Sequence, residues 1–502
     1  MEQITAAGWA KEQMRRAPAF AMATCVVAAL LVASTFVRYS AAGVARDELI
    51  ISSVELDEPE PEPIAFLPDP DRAEPKEPPD LKPPPNLPEV KDLKVDPIKD
   101  LSWGDETKDL FDLPPGPPEP VVDPAENVAL PDNARTEVIG LDDGPPRGGP
   151  GLYDGRDERG RRRAVRIGGM PPEALTAIVK GLWWLKRTQN RQTGTWDVRR
   201  WGGSKRDSGC GVSGLALLAF LGYGATDRDA RFGQTVKRAV RALIDAQHTE
   251  PENCGWFGER MYSQGICTIA LSEASVMLWS PRLRKEAKDA AQRGLDYILR
   301  RQPVHGAFGY TAGGNDVSVT GWQVMALKSA AMAGLSIPKG ATARTHNFLK
   351  LCVSRNHGTP YRFNPHGGTT GGTPRMTAVS LTARLFMGRP RTAPDCVGQA
   401  NWLVRGDREF AMARSARDYY YLYYMSMAMY QMGGTYWRRW NEAFSSPLVK
   451  RQVSEGPDRG SWPVEGSAYG RHGGRVYATA MGCLALEVYF KHLPLYKTRP
   501  RG

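Results

Sequence analysis

The 502-residue sequence predicts an all-α fold, a closed double ring of six helical hairpins. Three observations predict it. From about Pro171 onward, helix-length amphipathic stretches alternate with Gly-rich loops. A short motif recurs along them at hairpin spacing. Between its copies lie more apolar stretches, rich in Ala, Gly, Met and Leu on most faces, as helices packed on several sides require.

The motif is clearest in its first copy: Lys180-Gly181, then Trp184-Leu185, Gln189 and Gly194-Thr195-Trp196. The second copy aligns Ala242-Leu243, Gln247 and Gly255-Trp256. The third has Arg293-Gly294, Tyr297-Ile298, Gln302 and Gly306-Ala307-Phe308. The fourth keeps Phe348-Leu349 and Gly358, with Val353 in the glutamine slot. Trp402-Leu403 with Asp407 makes a degenerate fifth, and the sixth has Leu448, Gln452 and Gly460-Ser461-Trp462. The slots recur every 45–58 residues, the size of a two-helix repeat. Each outer helix is expected to end near the glutamine, whose amide can satisfy open backbone groups at helix ends. The glycine permits a turn with φ > 0. The inner helices are expected at 207–221, 262–278, 316–333, 374–387, 417–432 and 476–490.

The chain before this body is different. Lys11, Arg15 and Arg16 precede an uncharged run from Ala17 to Val37, 21 residues long. That length matches a hydrocarbon core of about 30 Å at a helical rise of about 1.5 Å per residue. Basic residues ahead of the span favour a cytoplasmic N-terminus. Residues 51–150 hold 23 of the 40 prolines and carry 25 Asp/Glu against 9 Lys/Arg, whereas residues 151–502 carry 26 against 52. Proline at this density excludes a helix or central strand and favours extended linker. The expected organisation is a cytoplasmic segment at 1–16, a membrane-spanning helix at 17–37, a disordered acidic linker at 38–165, the helical body at 166–495 and a tail at 496–502. Arg161-Arg162-Arg163 reads as a solvated hinge at the end of the linker. The seven cysteines form no CxxC pair and read as buried free thiols.

The run from Lys180 to Trp196 resembles the QW motif of squalene and oxidosqualene cyclases. Asp316-Val317-Ser318-Val319-Thr320-Gly321-Trp322 resembles an inner-helix start common in the same prenyltransferase/squalene oxidase repeat superfamily. The resemblance covers roughly residues 171–490. It implies a terpenoid cyclase-like (α/α)6 toroid whose central cavity faces the N-termini of the inner helices. The family's catalytic signatures do not carry over. The Asp-x-Asp-Asp acid of the cyclases is absent, and Asp227 and Asp229 read as solvated loop residues. The prenyltransferase zinc set would need a cysteine and a histidine where this chain has Tyr420 and Ala478, so neither a metal nor another cofactor is expected. Complement-type thioester chemistry needs a glutamine that does not follow Cys210-Gly211-Val212-Ser213.

The resemblance places Asp207, Tyr262, Gln264, Asp316, Ser318, Trp322, Arg375, Asp418, Tyr419 and Arg475 near the cavity rim. Asp316 and Asp418 are the candidate catalytic acids, although capping suffices to explain Asp207, Asp316 and Asp418. The tyrosine run 419–424 reads equally as pocket lining or packing. The function expected is a single-pass, membrane-anchored toroid outside the cytoplasm, in a bacterial envelope. It would be a non-catalytic scaffold or binding module for an envelope protein, peptide or lipid. The alternative is an isoprenoid-handling enzyme with a divergent site. A polysaccharide ligand ranks last, and no nucleic-acid motif occurs.

Overall fold

The computed structural model describes residues 153–492, except 167, 205–208, 311–312, 339, 364–371 and 468. The expected spanning segment, almost all of the linker and the tail lie outside the described residues. Among the described residues the fold is all-α: fifteen α-helices, two 3-10 turns, no strand and one isolated bridge between Asp316 and Arg362. None of these helices is long and apolar enough to cross a membrane.

After the 3-10 turn Asp154–Arg156 and helix α1 (Glu158–Arg166), long helices come in pairs. The pairs are α2 (Pro172–Thr188) with α3 (Gly209–Tyr223), α4 (Gly233–Asp245) with α5 (Met261–Met277), and α6 (Pro281–Arg300) with α7 (Val317–Met332). They continue with α8 (Ala343–Cys352) and α9 (Pro374–Phe386). In the fifth unit α10 (Pro394–Val404) and α11 (Asp407–Ser415) precede α12 (Tyr419–Met432). The sixth is α13 (Gly434–Lys450) with α14 (Gly470–Leu486), followed by the short α15 (Val488–Lys491). The second helices α3, α5, α7, α9, α12 and α14 pack in order, each on the next, and α14 packs back on α3. They are buried on nearly every face, which is why their apolar residues show no single stripe. Their bounds lie within a few residues of those expected. The sixth differs because Gly474, at φ 65°, interrupts the helix after its first turn.

The motif glutamines tie each unit to the next. Gln189 donates to Gly194 O in its own loop at 2.8 Å and to Thr235 O on α4 at 3.0 Å. Gln247 donates to Gly255 O at 3.2 Å and to Ala290 O on α6 at 2.9 Å. Gln302 donates to Ala341 O ahead of α8 at 3.1 Å. The last repeats the pattern onto the first: Gln452 donates to Gly460 O at 2.8 Å and to Ala177 O on α2 at 2.7 Å. Arg238, Arg293 and Arg344 of the following helix each donate back to the glutamine oxygen, at 2.8–3.1 Å.

The glycines press on the same neighbours. Gly194, Gly255, Gly306 and Gly460 all have positive φ. A Cβ on them would fall within 2.5 Å of backbone atoms of Arg238, Arg293, Arg344 and Lys180 respectively. A side chain is therefore excluded twice, by dihedral and by space. The aromatic after Gly194, Gly306 and Gly460 is fixed by the inner helix. Trp196 N donates to Ser213 Oγ, Phe308 N to Thr320 Oγ1 and Trp462 N to Thr479 Oγ1. The indole N–H groups of Trp196 and Trp462 reach Leu185 O and Leu448 O, both at 2.8 Å.

Two sequence readings are corrected here. Residues 153–165, assigned to the linker by composition, fold against the helical body. Arg156 is buried, and Arg161 donates to Tyr223 O at 2.6 Å while its guanidinium lies 4.2 Å from the Tyr223 ring centre. The basic cluster is thus partly a clip, not wholly a solvated hinge. Asp227 is also buried, because its carboxylate accepts from Trp279 N at 2.7 Å and Ser280 N at 2.9 Å just ahead of α6.

Gln247→Ala leaves two buried carbonyls unmet and should cost roughly 2–4 kcal/mol in urea unfolding. Gln452→Ala, at a partly exposed site, should cost about 1–2 kcal/mol. Equal and negligible effects would mean that the glutamines do not clamp the units.

Candidate functional site

The N-terminal ends of the inner helices converge on a cavity of about 300 Å³. Helix α3 supplies Gly211, Val212 and Leu215, and α5 supplies Tyr262, Ser263 and Ile266. Trp322 comes from α7 and Tyr420 from α12. His472, Gly473 and Tyr477 come from α14, with Tyr469 just before it. Arg260 and Tyr310 complete the wall from the loops. This size lies at the lower end of small-molecule sites. The wall is mostly aromatic and aliphatic, and the described residues contain no cluster of three His, Cys, Asp or Glu side chains able to hold a metal.

Both candidate acids are helix caps. Asp316 Oδ1 accepts from Ser318 N at 2.8 Å and Val319 N at 3.2 Å. Asp418 Oδ1 accepts from Tyr421 N at 3.1 Å, and its other oxygen pairs with Arg375. Asp316 nevertheless reaches toward the cavity through hydroxyls. The Tyr262 hydroxyl donates to Ser318 Oγ, and Ser318 Oγ donates to Asp316 Oδ1. Burial first, then the neighbouring Tyr310, pushes the Tyr262 phenol well above its ordinary range. Tyr262 is therefore a proton-bearing group at neutral pH.

The remaining candidates separate. Tyr262 and Trp322 line the cavity, with Ser318 directly behind Tyr262. Gln264 faces its own loop and α6, donating to Gly255 O at 2.9 Å and Gly294 O at 3.1 Å. Arg375 is held by Asp418. Tyr419 turns away to donate to Pro463 O at 2.7 Å, and Arg475 pairs with Asp458 at 3.3 Å. Asp207 lies outside the described residues. At the start of α3 the acceptor is Glu259 from the second unit, which takes Cys210 N at 2.7 Å and Gly211 N at 3.2 Å. Outside the cavity, His248 stacks on Trp256 at 5.2 Å.

The tyrosine run does both jobs foreseen for it. Tyr420 lines the cavity and packs on Tyr469 and Tyr424 at 5.3 and 4.8 Å. Tyr421 meets Trp440 edge-on, while Tyr423 and Tyr424 flank Trp322 at 5.8 and 5.6 Å. The Trp322 indole N–H and the Tyr477 hydroxyl are buried with no hydrogen-bond partner among the described residues. Sequence reasoning missed Tyr310, Tyr469, His472 and Glu259. The available signal was their place in loops just before inner helices, or in the first turn of one for His472.

The other end of the inner helices is closed by charge. Arg156, from the segment before α1, pairs with Glu273 on α5 at 2.6 Å, and Lys491 reaches Glu273 at 3.1 Å. Burial raises the Glu273 carboxyl, but Arg156 and Lys491 outweigh it and hold it at about 2. Glu487 is buried beside them with neither oxygen hydrogen-bonded. Burial pushes it up to about 8, despite the opposing pull of Lys491 and Arg156.

Comparison of the sequence with models of protein families gives no match, and comparison with curated proteins gives none either.

The two buried carboxyls set opposite pH dependences. The lowered Glu273 contributes stability above pH ~4.5 that is lost as pH falls toward ~2. The raised Glu487 contributes stability below pH ~4.5 that is lost as pH rises through ~8. Glu487→Gln should therefore raise the unfolding midpoint at pH 8 and flatten its decline between pH 5 and pH 8, measured by thermal unfolding across pH. An unchanged slope would mean that Glu487 is already ionised at neutral pH.

Proposed function

We propose that residues 166–495 form an (α/α)6 toroid of the squalene cyclase and prenyltransferase type, held outside the cytoplasm by a membrane-spanning helix at 17–37 and the acidic linker. The closed order of inner-helix contacts supports this reading, as does Gln452 repeating on α2 the bond that each motif glutamine makes to the next unit. On this reading the toroid is a non-catalytic binding module whose cavity accepts an apolar or aromatic group from an envelope protein, peptide or lipid. One observation carries it. The two carboxylates best placed for acid chemistry are both spent as helix caps, while the cavity wall offers mainly aromatic faces. Tyrosine and tryptophan bind such groups through ring contacts worth about 0.5–1.5 kcal/mol each.

The alternative, an isoprenoid-handling enzyme, draws on the Tyr262–Ser318–Asp316 chain, which connects a buried carboxylate to the cavity through two hydroxyls. General acid chemistry needs such a positioned proton donor.

The two readings separate with the purified full-length protein and two probes, p-cresol and farnesol. A binding module should quench tryptophan fluorescence on titration and return both probes chemically unchanged. Tyr420→Ala should weaken binding up to about tenfold. Asp316→Asn should act only on stability. Conversion of farnesol that vanishes in Asp316→Asn would replace the binding reading with the enzymatic one.

A further inference from the structure

Cys210 and Cys267 stand on adjacent inner helices, α3 and α5, with their Sγ atoms 3.5 Å apart. The two helices approach closely where α3 turns glycines toward α5. A Cβ on Gly211 would lie 3.0 Å from Ser263 Cα, and one on Gly214 would lie 3.6 Å from Cys267 Cα. Cys210 is partly exposed at the start of α3, whereas Cys267 is fully buried. The sulfurs are in van der Waals contact, and a bond of about 2.05 Å needs only about 1.5 Å of further approach. The two helices that carry them both line the cavity, α3 through Gly211, Val212 and Leu215 and α5 through Tyr262, Ser263 and Ile266.

We propose that Cys210 and Cys267 form an oxidation site, a dithiol that closes to a disulfide and locks two walls of the cavity together. The oxidant is a disulfide, from a small molecule or an exposed protein dithiol. The sulfur of the partly exposed Cys210 attacks one sulfur of the oxidant as a thiolate, and the other half leaves as a thiolate, producing a mixed disulfide on Cys210. Cys267 then gives up its proton to the departing sulfur and attacks Cys210 Sγ. That attack breaks the mixed disulfide and releases the second half of the oxidant as a thiol. The two cysteines lose two electrons and two protons, and the oxidant is reduced to two thiols. The order of events follows from access. Burial, with Cys210 and Glu259 close by, keeps Cys267 protonated, so Cys210 is the entry point and Cys267 the resolving partner. The inference does not depend on what the cavity holds.

The test uses full-length protein and oxidised glutathione, with peptide mapping under non-reducing conditions. The expected product is a linked pair of peptides containing Cys210 and Cys267, lighter by two hydrogens and reversed by reductant. In wild type the glutathione adduct on Cys210 should not accumulate, whereas one on the partly exposed Cys254 should persist, because only Cys210 has a resolving thiol beside it. Cys267→Ser should stop the reaction at a glutathione adduct on Cys210. Cys210→Ser should leave Cys267 as a thiol. Oxidised wild type should also unfold a few degrees higher than reduced protein, a shift absent from both variants. A Cys210 adduct that persists in wild type without linking, or a Cys210–Cys267 pair that stays reduced under the oxidant, would overturn the proposal. The wild-type mapping decides this even where a variant folds poorly.

Discussion

Four of the helical units, the first three and the sixth, rest their turns directly on the backbone of the unit that follows. A glycine at positive φ leaves no room for a side chain against Arg238, Arg293, Arg344 or Lys180. The neighbouring glutamine meets carbonyls on both sides of that contact. Close approach alone would strand those carbonyls away from water, and the amide removes that penalty. One device thus sets both spacing and angle between successive units. It also explains why the motif spans a junction and not a single helix. The fourth and fifth units do without it. There Gln399 on α10 donates to Thr359 Oγ1 and Ser380 Oγ, and Ser354 donates to Gly358 O at 2.8 Å. These bonds pin loops to helices but do not repeat the clamp.

With the outer junctions fixed, the inner helices present their two ends very differently. Their N-terminal ends are capped by Asp316, Asp418 and Glu259 and enclose an aromatic cavity. Their C-terminal ends are sealed by Arg156, Glu273, Lys491 and the neutralised Glu487. A buried ion cluster of this kind is poor evidence of stability, since desolvation offsets much of the attraction. Its evident structural role is to dock the segment between the linker and α1.

Much of the fold was legible because its signals are local and repeated. The Gln-x-x-x-x-Gly-x-Trp copy at Gln189–Trp196 showed a junction, and the apolar stretches showed inner helices within a few residues. The arm at 153–166 was not legible. Arg156 and Arg161 look like solvated charge in sequence, and only tertiary packing supplies their acceptors, Glu273 and Tyr223 O. The site was legible in part. Tyr262 and Trp322 were found because inner-helix starts face the mouth. Tyr419 and Tyr420 could not be told apart, since neighbouring helical residues point about 100° apart and the helix's rotation is set by its partners. Gln264 and Arg475 failed as rim residues for the same reason. Cys210 and Cys267 are 57 residues apart, and their pairing emerges only when α3 and α5 pack.

Native-state amide hydrogen exchange across residues 177–189 and 452–462 tests the closure most directly, because Gln452 and Gly460 meet α2 there. If the sixth unit packs on the first as the others pack on their neighbours, amides in both segments will exchange as slowly as those at the Gln247–Ala290 junction. Rapid exchange confined to these two segments would show that the last unit does not hold the first, and the ring account would fail.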